Sequence, residues 1–143
     1  MSQIDLKSVY RGALLGLVII APVTVLSALV ERNVGGLVSS IRAGVLLIGI
    51  FGAYTVAGWT AAKRGTGAPL SNGLLAGMAT FVGWVVIRIL IWLVREQHNN
   101  LFTGPDRVIN LPSIFVGLVV AALFGLIGGL IGARMERGGE PVG

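Results

Sequence analysis

Cysteine is absent from this chain of 143 residues, which rules out a disulfide scaffold. Histidine occurs once, at His98, so paired-histidine haem ligation, a His-rich zinc site and a Ser–His–Asp triad are excluded as well. Charge is also scarce. Charged residues make up 12% of the sequence, against roughly 25% in soluble domains. With 55% hydrophobic residues and a mean hydropathy of +0.88, the chain cannot cover a water-facing surface. Neither a soluble enzyme nor a disordered tail fits this composition; a polytopic membrane protein does.

Four runs are long and apolar enough to cross a hydrocarbon core, which takes about 20 helical residues. They cover residues 12–30, 43–62, 73–94 and 113–133. The expected fold is all-α, one four-helix transmembrane domain spanning residues 1–143. Strands are excluded because an open strand leaves backbone groups unpaired in lipid, and no run alternates polar with apolar positions as a barrel strand does. Lys7 and Arg11 ahead of the first run resemble the start of a signal peptide. The run is too long for that and contains Pro22, so a retained helix is expected.

The connections differ in kind. Residues 33–40, with Gly35-Gly36, read as a flexible turn. Residues 63–72 (KRGTGAPLSN) read as a short turn broken by Gly65, Gly67 and Pro69. Residues 95–111 mix polar and apolar side chains around a Gly104-Pro105-Asp106 turn and read as an interfacial loop. Pro112 suits the first turn of the fourth helix, where a missing amide hydrogen costs nothing. Residues 139–143 read as a flexible tail. With both termini inside, the inner ends hold Lys7, Arg11, Lys63, Arg64, Arg134 and Arg137, and the outer loops hold Arg32, Arg42, Arg95 and Arg107. Six against four is the bias that retains basic residues in the cytoplasm, so both termini are expected there, with anionic lipids at the inner face.

Helices in lipid are drawn together by close van der Waals approach, which small residues at every fourth position permit. The second run carries Gly49, Ala53, Ala57 and Ala61; the fourth carries Gly117, Ala121, Gly125, Gly129 and Ala133, with Gly128 and Gly132 alongside. These nine ridge positions are the expected packing faces, meeting either each other or a neighbouring subunit. Gly12-Ala13-Leu14-Leu15-Gly16 echoes Gly73-Leu74-Leu75-Ala76-Gly77, and each hairpin ends in a ridge followed by basic residues. That pattern fits two repeated helical hairpins, or two hairpins converging on one packing need.

The stretches Val56-Ala57-Gly58-Trp59-Thr60-Ala61-Ala62-Lys63-Arg64-Gly65, Ser71-Asn72-Gly73-Leu74-Leu75-Ala76-Gly77 and Phe124-Gly125-Leu126-Ile127-Gly128-Gly129-Leu130-Ile131-Gly132 carry a family resemblance. Over about half its length the chain is similar to an uncharacterised family of small four-helix, glycine-rich bacterial membrane proteins. The resemblance implies the fold and a bacterial inner membrane, and no activity. Arg88 and the loop at 95–111 have no counterpart in it.

Arg88 is the one charge inside a run, six residues before its end and so about 9 Å below it along the helix. It reads either as an arginine reaching the outer phosphates along Trp84 and Trp92, or as a buried ion pair with Glu31 or Glu96, or as an anion site inside the bundle. Pro22 frees the carbonyl of Val18; it is read as a kink used for packing, or as a broken helix at a binding site. Tyr54, Thr55 and Thr60 are expected to bond across helices or to the backbone four residues earlier. No carboxylate falls within a run, which argues against a proton relay. Residues 63–67 (KRGTG) lack the order of a phosphate loop. The net charge of +5 is spread over short ends and makes no nucleic-acid face. The expected function is non-enzymatic: an accessory or structural membrane subunit, or a homo-oligomer, working through helix packing without cofactor or metal. The alternative is a small oligomeric transporter or channel with Arg88 near the pathway.

Overall fold

The computed structural model describes residues 3–30, 37–94 and 109–138. Of the turn expected at residues 33–40, residues 33–36 lie outside them and residues 37–40 are helical; most of the interfacial loop, Glu31, Glu96, His98 and the tail at 139–143 also lie outside them. Four helices form: α1 (Leu6–Val30), α2 (Leu37–Arg64), α3 (Pro69–Val94) and α4 (Leu111–Arg137), with no strand among the described residues. All four are long and apolar enough to cross a membrane.

The helices outrun the apolar runs, α1 beginning at Leu6 rather than at residue 12 and α2 at Leu37 rather than at residue 43. Hydropathy marks where hydrocarbon ends, whereas a helix ends where its backbone finds other partners. At the start of α1 the Asp5 carboxylate accepts the Lys7 and Ser8 amide hydrogens at 3.1 and 3.4 Å, and the Ser8 hydroxyl at 2.8 Å. At the start of α4, Pro112 sits in the first turn as its missing amide hydrogen requires. Between α2 and α3 only residues 65–68 remain as turn, so Pro69 begins a helix instead of breaking the chain. Gly67 takes a left-handed φ of +107°, and a Cβ there would lie 2.5 Å from the Gln3 carbonyl oxygen.

The hairpins α1–α2 and α3–α4 lie side by side, with α1 against α3 and α2 against α4. Helices α2 and α3 also touch across the middle, while α1 and α4 are held apart on opposite sides of them. The starts of α1 and α3 and the ends of α2 and α4 share one end of the bundle, called proximal here; the other is distal.

Small residues close the proximal half. A Cβ added to Gly12 or Gly16 would run into Ala57 of α2, and for Gly12 into Ala61 as well. One added to Gly73 or Gly77 would run into Gly125 of α4, with Gly129 behind Gly73 and Ala121 behind Gly77. The two hairpins therefore make equivalent contacts: a glycine pair early in the first helix receives the ridge of the second. The α2–α4 seam uses a different face, on which Gly58 meets the Gly125 carbonyl, Gly128 meets the Thr55 carbonyl, and Gly132 meets Trp59 and Ala62. The α2 and α4 ridges thus do not meet each other. Each packs on the helix preceding it in the chain, because the α2–α4 seam takes the turn of helix beside the ridge.

A buried polar contact ties the helix starts together. Asn72, fully buried in the first turns of α3, accepts the Asp5 amide hydrogen at 3.0 Å. Its side-chain nitrogen lies against Gly65, which leaves no room for a Cβ.

Two outcomes are expected from these contacts. Gly128→Ala places a methyl group on a backbone carbonyl and is expected to lower unfolding stability in detergent by about 1–3 kcal/mol. Gly52→Ala, where nothing lies within 4 Å of the added carbon, is expected to be neutral or to stabilise by up to about 1 kcal/mol through helix propensity. Equal effects at the two sites would contradict the seam. The second concerns Asp5, whose carboxyl is held below its usual value of 3.8, chiefly by the Ser8 hydroxyl. A depressed folded-state value contributes stability that is present above pH 3.8 and lost as pH falls through the folded value. Mobility of a spin label at residue 10 is expected to rise on acidification below pH 3.8, and Asp5→Asn to flatten that rise.

Candidate functional site

Aromatic side chains meet near the middle of the bundle. Phe51 of α2 stacks on Phe124 of α4 with ring centres 4.5 Å apart, and Tyr54 meets Phe81 edge-on at 6.4 Å. These rings lie beside an open space on the side away from the proximal seams. This cavity of about 640 Å³ is open on one side and bounded by α2, α3 and the first turns of α4. That size lies in the range of ordinary ligand pockets. Among the described residues its walls are apolar apart from Tyr54, Arg88, Asn110 and Ser113, with no carboxylate in the lining.

Arg88 points into this space. Its guanidinium carbon lies 5.1 Å from the centre of the Trp84 ring, one turn toward the bundle middle, and the side chain lines the cavity. Helix geometry favours this, since side chains lean toward the helix N-terminus, which for α3 is the proximal end. Stacking on the ring offsets part of the cost of holding a cation in a low-dielectric site. The ion pairs considered with Glu31 and Glu96 involve residues outside the described ones.

The ring beneath Arg88 is itself held. The Trp84 indole N–H donates to the Thr24 hydroxyl at 3.1 Å, and that hydroxyl donates to the Ile20 carbonyl at 2.8 Å. Thr24 thus fixes Trp84 from across the α1–α3 contact, using the donor and one acceptor site of a single hydroxyl. Pro22 lies two residues away on an exposed face, and α1 runs unbroken through it.

The opposite rim is the start of α4. Asn110 precedes the helix in extended conformation and makes no side-chain cap. The Ile114 amide bonds to the Asn110 carbonyl at 2.9 Å. The positive end of the α4 dipole borders the same mouth as Arg88, through Asn110 and Ser113.

The other singled-out positions divide clearly. Gly49 faces Val23 of α1, and Ala57 and Ala61 receive Gly12 and Gly16. Ala53 is buried in the core. Gly117 sits under the Phe81 ring; Ala121, Gly125 and Gly129 face Gly73 and Gly77; Ala133 is half-buried. Thr55 bonds the Phe51 carbonyl four residues earlier at 2.9 Å, as expected. Thr60 departs from that expectation: its hydroxyl is buried without a hydrogen-bond partner. Sequence reasoning overlooked Thr80, which is fully buried, bonds the Ala76 carbonyl at 2.8 Å and packs against Gly16. It also overlooked Asn72 and the Thr24–Trp84 bond. A polar residue set among small ones, as in Ala79-Thr80, was the available signal for Thr80; nothing local announces a bond across 60 residues.

Comparison of this chain with known protein families, curated proteins and solved structures finds no match.

Thr24→Val keeps the shape and removes the acceptor of the indole hydrogen. It is expected to cost about 0.5–2 kcal/mol of stability and to change Trp84 emission. An unchanged spectrum would show that the bond does not position the ring.

Proposed function

We propose that this chain is a non-enzymatic, multi-pass protein of a bacterial inner membrane that holds a ligand within the bilayer, in the distal cavity. The carrying observation is that Arg88, the one charge within the apolar run of α3, stacks on Trp84 and, though exposed, borders a roomy apolar space. The ridges that favoured an accessory subunit or a homo-oligomer are filled by the chain's own helices. A partner would have to dock on other surfaces, so the reading in which Arg88 borders a ligand path is the better supported. A cytoplasmic proximal end is supported by its six basic residues, all exposed, around which anionic headgroups can gather. The cavity then opens in the outer half of the membrane.

The test is occupancy. Protein purified in mild detergent is extracted with solvent, and the retained molecules are quantified by mass spectrometry. The parent chain is expected to retain one amphipathic compound at near-stoichiometric amount. Val120→Trp and Val85→Trp, which fill the cavity from α4 and α3, are expected to lose it without losing thermal stability. Retention unaffected by either substitution, or no retained compound in the parent, overturns the proposal.

A further inference from the structure

The chemistry of the cavity narrows its occupant. The wall is built from residues such as Ile50, Phe81, Val85 and Val120, which offer no hydrogen bond and suit a hydrocarbon chain. The polar groups Arg88, Asn110 and Ser113 come from the distal part of α3 and the start of α4, so they sit where the apolar wall ends. Among the described residues, charge there has one sign: Arg88 is the only described lining side chain that carries charge at neutral pH, the α4 dipole adds to it, and no described carboxylate lines the cavity. Such a mouth favours a phosphate, through charge-assisted bonds from the guanidinium fork. Its described side chains offer no carboxylate to pair with an ammonium group, and the Trp84 face, a natural seat for a quaternary ammonium, is already covered by Arg88.

We infer that the cavity takes one acyl chain of an anionic phospholipid from the surrounding bilayer, with the lipid phosphate at Arg88, and discriminates against zwitterionic phospholipids. This rests on the reading above, that the cavity is a ligand site, and adds the identity of the ligand. Trp84 lies in the wall beneath the arginine, which makes it a reporter in place.

In the test, Trp59→Phe with Trp92→Phe leaves Trp84 as the only tryptophan. The protein is reconstituted in bilayers containing either phosphatidylglycerol or phosphatidylcholine with brominated chains, which quench indole fluorescence on contact. Half-maximal quenching is expected at a mole fraction of the anionic lipid roughly fivefold lower than that of the zwitterionic one. Arg88→Gln is expected to bring the two curves together. Ser113→Glu, at an exposed rim position, supplies a carboxylate without touching Arg88 and is expected to abolish or reverse the preference. Equal quenching by the two lipids before substitution, or a preference that survives both substitutions, overturns the inference while leaving the cavity occupied. Quenching of Trp84 weaker by both lipids than that of a tryptophan placed at exposed Phe115, in a background also carrying Trp84→Phe, shows the cavity empty of lipid. That result overturns this inference alone if solvent extraction still finds a stoichiometric compound, and overturns both readings if it does not.

Discussion

At Gly125 three helices approach with no side chain between them. A Cβ there would meet the Gly73 carbonyl oxygen at 2.6 Å and the Gly77 Cα at 2.9 Å, while Gly58 of α2 closes on the Gly125 carbonyl from the other side. In lipid the apolar surface of a helix gains nothing by leaving its surroundings, so attraction between helices comes from contact area and close backbone approach. Glycine on both sides of a seam gives the shortest approach available. The rest of the bundle is arranged around that constraint: α4 is held to α2 and α3 in the proximal half, and α1 is held to α2 by Gly12 and Gly16 in the same half.

Phe51, Tyr54, Phe81 and Trp84 cluster around the middle of the bundle, and the cavity lies beside them, between α2, α3 and the first turns of α4. Arg88 is tolerable there because the structure provides for it locally. The Trp84 ring takes the guanidinium face, and Thr24 of α1 holds the ring by its indole N–H.

Much of the fold was legible because lipid imposes simple rules. The apolar runs located all four helices, and the spacing of Gly117, Ala121, Gly125 and Gly129 located the face of α4 that meets another helix. The partner of each ridge was not legible. Periodicity shows that a face is small but not what it touches, and the α2–α4 seam at Gly58, Gly128 and Gly132 lies one step round the helix from the ridges. The helix starts at Leu6 and Leu37 were missed because hydropathy reports bilayer thickness and caps set helix length. Arg88 was legible as an anomaly through its position alone. Its direction depended on the ring four residues earlier, and that ring depended on Thr24 in another helix, a contact that no local pattern encodes.

The most direct measurement is the distance between spin labels at Lys63 on α2 and Met135 on α4, both exposed at the proximal end, by pulsed electron paramagnetic resonance in lipid bilayers. No native cysteine interferes with labelling at these sites. A seam closed by backbone contact gives a short, narrow distribution in the parent and a longer, broader one in Gly125→Leu, with thermal stability falling in parallel. A distribution unchanged by that leucine would mean that something other than glycine contact holds the helices together, and would contradict the account.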